Sequence, residues 1–174
     1  YLSREYPLKL LRDYGVDGGC FSVKSKNLSR NLQDCEQIIV FAATLGAGTD
    51  HVIQRYNKLQ VSRAVVLQAV SAAMIEGYCN HICSRMKQEY EEKNRYLRPR
   101  FSPGYGDFPL ECQPYLLDAL EAGKRIGIKL TDSYLMMPSK SVTAIIGVSQ
   151  KPEFCQVEGC ETCVKIDCRY RREP

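Results

Sequence analysis

Ile38-Ile39-Val40-Phe41-Ala42-Ala43-Thr44-Leu45-Gly46-Ala47-Gly48 is the stretch on which the fold of this chain turns. Its first eight residues are apolar or β-branched and uncharged, and the run is too short to cross a bilayer, so it predicts a buried strand. Gly46 and Gly48 end the run, and Thr49 or Asp50 offers an N-cap, so the strand is expected to open into a helix. A glycine pair also occurs in phosphate-binding turns, but a dinucleotide fingerprint needs a third glycine, and residue 51 is His. Strand-to-helix geometry explains the pair better. His51 and His81 read as surface or capping histidines rather than ligands.

Downstream, residues 62–93 carry the longest periodic pattern. Val65, Ala69, Ala72, Glu76, Cys79 and Cys83 alternate in spacing between four and three, which puts all six on one helix face. Five are small or apolar and the sixth is a carboxylate. Burying an ionised carboxylate is costly unless it meets a partner. Glu76 is therefore expected either to pair with an arginine or to face a pocket that takes a cationic or hydrogen-bonding ligand. Beyond residue 86, Lys87, Glu89, Glu91, Glu92 and Lys93 mark a solvated end.

The helix runs into Arg98-Pro99-Arg100-Phe101-Ser102-Pro103-Gly104-Tyr105-Gly106-Asp107-Phe108-Pro109. Three prolines fix φ and two glycines permit positive φ or close backbone approach, so the loop is shaped rather than slack. Arginines and aromatic rings are groups that clamp a carboxylate and cover a flat or cationic ligand. The same sequence also fits a helix connector whose Phe101, Tyr105 and Phe108 pack on the core.

Working outward, residues 7–14 read as a short amphipathic helix with Leu8 and Leu11 on one side and Gly15 as its stop. Residues 17–26 are Gly-rich and weakly strand-like, and residues 25–34 resemble a polar helix or turn. After the loop, residues 114–126 predict a second helix, with Pro114 in its first turn and Gly123 or Gly127 near its close. Residues 130–137 alternate, and residues 142–148 form a β-branched strand. Helices interleaved with a few strands point to an α+β domain over residues 1–150, with an antiparallel or mixed sheet packed against long helices. Residues 151–174 form a separate Cys-rich tail.

With 174 residues and 44% hydrophobic content the chain can bury one core. A net charge of +4 without a basic run gives no ground for nucleic-acid binding. No apolar run reaches the roughly 20 residues of a membrane span, and the residues from Tyr1 onward do not read as a signal peptide. Nine cysteines, an odd number scattered through apolar helix, argue against a secreted disulfide framework and for a reducing cytoplasm. Cys35, Cys79, Cys83 and Cys112 read as buried thiols. The tail differs, because the spacing of Cys155, Cys160, Cys163 and Cys168 would let four thiolates converge on one tetrahedral centre, the alternative being a flexible reduced tail or paired disulfides. Zinc would staple the tail, whereas a four-iron four-sulfur cluster would also carry electrons.

Arg100-x-x-x-Gly104-Tyr105, together with residues 41–46, the helix around Glu76, Lys129-Leu130-Thr131-Asp132-Ser133-Tyr134, Met137-Pro138 and Ser141-Val142, resembles the activation domain of cobalamin-dependent methionine synthase. The resemblance is strongest to stand-alone proteins related to that domain and covers roughly residues 25–150. It implies an S-adenosylmethionine site made by Arg100, Ser102, Gly104, Tyr105 and Glu76. It also implies a role as a component of methionine synthase methyltransferase activity: reductive methylation of cobalamin carried on a methionine synthase core or another corrinoid protein. A flavodoxin- or ferredoxin-type donor would supply the electron. No catalytic nucleophile or base is required. Two other readings stay open: a non-catalytic adaptor that docks on a corrinoid protein through a zinc-stapled tail, and a redox iron–sulfur protein on an inherited scaffold.

Overall fold

A computed structural model describes residues 1–152. The Cys155, Cys160, Cys163 and Cys168 set lies outside the described residues. The expected buried strand is the centre of the molecule. It runs as β5 (Cys35–Thr44), antiparallel to β1 (Leu2–Pro7) on one side and to β9 (Ser141–Ser149) on the other. The two-residue β6 (Tyr96–Leu97) completes a sheet of order β1-β5-β9-β6, and every pairing in it is antiparallel.

Strand alternation sends successive β5 side chains to opposite faces, and both faces are covered. Ile38, Val40 and Ala42 join a core with Leu28 of α1 (Lys26–Asn31), Leu32 just past its end, Leu116 and Leu117 of α4 (Gln113–Ala119), and Phe108. Ile39, Phe41 and Ala43 meet Ile75, Cys79, Ile82 and Met86 of α3 (Val61–Glu91). Burial on both faces explains why β5 reads as a continuous apolar run. Each fully buried Ile or Phe contributes about 1.5–3 kcal/mol.

Between β5 and α3 lies α2 (Ala47–Leu59), which packs on the first half of α3. It starts at Ala47, earlier than the expected Thr49 or Asp50, because Gly46 takes the N-cap position at φ +81°. Asp50 is instead engaged from outside the helix, accepting from the Ser139 amide at 2.7 Å and hydroxyl at 2.5 Å.

Three expectations change. Residues 7–14 are not helical: β2 (Lys9–Leu10), β3 (Gly15–Asp17) and β4 (Ser22–Lys24) make a small antiparallel sheet, and Asp13 and Tyr14 turn the chain with positive φ. The helix over residues 114–126 is broken. It ends as α4 and resumes as α5 (Ala122–Arg125) after Glu121 at φ +52°, a left-handed residue that stops helical propagation. The alternating stretch near residue 130 is two short strands, β7 (Lys129–Leu130) and β8 (Met136–Met137).

The far end of α3 is fastened to the sheet edge. The Tyr90 hydroxyl donates to Glu5 of β1, and Arg95 pairs with Glu5 at 3.4 Å and donates to Gln37. Among the described residues, no helix is long and apolar enough to cross a membrane.

Candidate functional site

The loop at residues 98–109 is pinned at three points. The Arg98 amide donates to the Gly147 carbonyl at 2.8 Å, and Phe101 exchanges two 2.8 Å hydrogen bonds with Ile145, so β9 fixes its first half. The Phe108 ring is buried and stands 5.8 Å from Phe21 and 6.2 Å from Phe101, which seats the second half in the core. Asp107 supplies the third point. Its carboxylate accepts from the Ser25 hydroxyl at 2.5 Å and from the Lys26 and Asn27 amides at 2.6 and 3.0 Å, adding to the N-cap that Ser25 itself gives α1. Burial alone would raise the Asp107 pKa. The hydrogen bonds from Ser25, Asn27 and Lys26 outweigh it and hold the carboxyl below its ordinary value.

Between these pins the chain turns tightly. Gly104, at φ +90°, donates to the Phe108 carbonyl at 2.8 Å, and the Tyr105 amide donates to Ser102 at 3.2 Å. Gly106 takes φ +55°, and a Cβ there would press on the Asn27 side chain, so glycine suits this approach of loop to helix. Of the aromatic residues, Phe101 and Phe108 pack inward as the connector reading expects. Tyr105 does not, and its side chain is 59% exposed.

The two arginines part company. Arg98 is buried, and its Nη1 donates to the Lys151 carbonyl at 3.5 Å. Arg100 reaches across to α3, where Nη2 donates to Glu76 Oε2 at 3.2 Å and to Asn80 Oδ1 at 2.7 Å. Glu76 and Asn80 stand four residues apart, one above the other on the same side of the helix.

The face assignment for α3 requires correction. Its buried residues are Ala64, Ser71, Ile75, Cys79, Ile82 and Met86, whereas Val65, Ala69, Ala72 and Glu76 are exposed. The core stripe lies one position earlier than the 65/69/72/76 spacing suggested, because the sheet selects Ile75 and Ile82 over the smaller alanines. Glu76 is therefore not a buried charge. Its side chain is 59% exposed against 20% for Arg100, so the pair adds about 0–1 kcal/mol to stability and stays accessible from solvent.

Two thiols flank Arg100. Burial raises Cys79 to about 11 although Arg100 opposes the shift, and burial likewise raises Cys83. Neither is a thiolate at neutral pH, so neither is a ready nucleophile. Cys79 and Cys112 are buried as expected, while Cys35 and Cys83 are only partly covered. Both histidines are exposed. Among the described residues no group of three or more His, Cys, Asp or Glu could hold a metal.

Of the five residues expected to form the site, the fold joins Arg100 directly to Glu76. It holds Ser102, Gly104 and Tyr105 on the turn that follows Arg100, and among the described residues no side-chain hydrogen bond links Ser102 or Tyr105 to Glu76. Sequence reasoning missed Asn80 and Asp107. Asn80 had a usable signal, its four-residue spacing from Glu76. Asp107 had none, because its partners lie eighty residues away in the chain.

The arrangement offers a cationic fork, an accessible carboxylate and an open aromatic face on a stiff turn. A family model described as vitamin B12-dependent methionine synthase, activation domain, matches residues 28–172. The chain also superposes on the crystal structure of the MetH reactivation domain bound to AdoHcy, with TM-score 0.64 and 18% identity, over 87% of this chain and 59% of that one. It thus spans about three fifths of that structure's length, and at this identity the likeness establishes the fold. The family model covers most of the sequence, and the chain belongs to the family of vitamin B12-dependent methionine synthase activation domains.

Proposed function

We propose that this chain binds S-adenosylmethionine beside Arg100 and Glu76 and presents it for reductive methylation of cobalamin held by a partner, either a methionine synthase core or another corrinoid protein. The observation that carries the reading is the Arg100–Glu76–Asn80 cluster, in which Nη2 makes both hydrogen bonds to α3. That orientation holds the guanidinium plane while its other N–H groups serve a ligand carboxylate. Glu76 accepts from an ammonium or from ribose hydroxyls, and Tyr105 offers a π face to a cationic sulfur. The donor set fits a zwitterionic, sulfonium-bearing ligand. Bound there, the ligand supplies an electrophilic methyl group. The residues of this chain bind and orient it, and nothing in that role needs a thiolate or a general base.

The tail cysteines Cys155, Cys160, Cys163 and Cys168 are assigned zinc or an iron–sulfur cluster, and a flavodoxin- or ferredoxin-type donor provides the electron. The test of the core reading is calorimetric titration with S-adenosylmethionine. Wild type should bind, and Arg100→Ala should weaken binding about 10- to 100-fold, the loss of charge-assisted hydrogen bonds worth roughly 1.5–3 kcal/mol. Glu76→Gln should weaken it less. No binding by wild type, or equal binding by Arg100→Ala, defeats the reading.

A further inference from the structure

Where α4 gives way to α5 the fold holds a cleft of about 560 Å³ that shares no residue with the Arg100 site. Its volume falls in the range of small-molecule sites, roughly 300–1,000 Å³. Leu117 and Ile128, both buried, form an apolar floor together with Leu130. Asp118, Glu121, Lys124 and Lys129 stand exposed around it. Among the described residues, none of these four charged side chains has an ion-pair or hydrogen-bond partner. The walls themselves are fixed. The Ala119 carbonyl at the end of α4 accepts from Arg4 Nη1 at 2.7 Å and from the Tyr6 hydroxyl at 3.0 Å, and the Ile128 amide donates to the Ala122 carbonyl at 3.3 Å. A cleft formed in advance costs a ligand little in ordering.

Two residues at this break go against what the backbone prefers. Glu121 sits at φ +52° and ψ +36°, a conformation that glycine takes freely and that strains an L-residue. Two positions on, Gly123 lies inside α5, where glycine is a weak helix former, and a Cβ there would make only ordinary contact with the Ile128 carbonyl at 3.5 Å. The fold would stand at least as well with glycine at 121 and a side chain at 123. The pair present gives instead a carboxylate at the edge of the cleft and open space beside it. Local rules broken without a structural gain mark functional positions.

The charges name the ligand class. Glu121 and Lys124 are three residues apart across the first turn of α5, a spacing at which side chains can meet, yet each is left for another partner. An ammonium and a carboxylate carried on one carbon fit between them, the ammonium on Glu121 and the carboxylate on Lys124. An apolar group on the same carbon then covers the floor, and its burial drives binding. Asp118 and Lys129 balance the rim, so it favours a zwitterion over an ion of either sign.

We infer that this cleft binds a free α-amino acid with an apolar side chain, independently of the S-adenosylmethionine site. Calorimetric titration of the full chain with leucine, methionine and phenylalanine should give a Kd below about 1 mM for at least one of them. Glycine, and the N-acetyl and amide forms of the amino acid that binds, should each bind at least tenfold more weakly. Glu121→Gly should weaken binding at least tenfold while the thermal midpoint stays level or rises, because the change relieves the positive φ. Arg100→Ala should bind the amino acid as wild type does. A Kd above about 1 mM for all three overturns the inference, as does equal binding of the N-acetyl or amide form. So does undiminished binding by Glu121→Gly, or a fall in that variant's midpoint. Loss of binding in Arg100→Ala would put the amino acid at the other site and overturns it too.

Discussion

The two halves of α3 are one continuous helix with opposite relations to the rest of the molecule. From Ile75 onward the helix lies on the sheet, contributes Ile75, Cys79, Ile82 and Met86 to a core, and is tied down at Tyr90. Before Ile75 it has α2 for company and shows much of its apolar surface to solvent. Glu76 and Asn80 sit just past the boundary. The site thus takes its positional precision from the anchored half. The half of the helix with fewer charges is the one more exposed, so composition alone does not fix burial. What decides is whether a sheet lies beneath.

Truncation in the anchored half breaks this contrast most directly. Ile82→Ala should lower unfolding free energy by about 2–5 kcal/mol in urea titration, because it opens a cavity between helix and sheet. Val66→Ala in the other half should change it by no more than about 0.5 kcal/mol. Equal losses would mean that the first half is packed within the monomer.

A smaller effect separates the loop's anchor from the helix's. Asp107→Ala should cost about 1 kcal/mol, the worth of a helix cap, without altering α3. The folded carboxyl titrates below the unfolded one, so its contribution is fully present above the ordinary value of 3.8 and is lost as pH falls through the lower folded value. Urea midpoints of wild type and Asp107→Ala should therefore differ at pH 6 and converge towards acid. The smallest effect is expected from Asn80→Ala, which leaves Arg100 its ion pair but removes the closer contact. It should weaken S-adenosylmethionine about 3- to 10-fold, roughly one neutral-acceptor hydrogen bond, with near-wild-type unfolding.

The strands β5 and β9 and the span of α3 were legible because burial on both sides or long periodicity leaves an unambiguous pattern. β1 was not. It lies at a sheet edge with Ser3, Arg4 and Glu5 exposed in succession, so no alternation marks it, and Arg4, Glu5 and Pro7 carry no strand signal. The break at Glu121 depends on one backbone dihedral that composition does not encode. The face of α3 was misread for a different reason: small alanines satisfy helical spacing on two sides, and only the position of the sheet chooses between them. In the site, the pairing of Arg100 with Glu76 was foreseeable as one partner for a carboxylate that seemed to need one. That carboxylate proved to lie in the open.

The bond between Asp107 and the start of α1 has a consequence for how this domain can be altered. Gly106 is moulded to Asn27, and Asp107 to the backbone of residues 26 and 27, so the loop and residues 25–27 form one heritable unit split between two places in the sequence. A loop transplanted between homologues would keep this anchor only where the recipient offers a hydroxyl at position 25, non-proline residues at 26 and 27, and a side chain at 27 that clears the glycine.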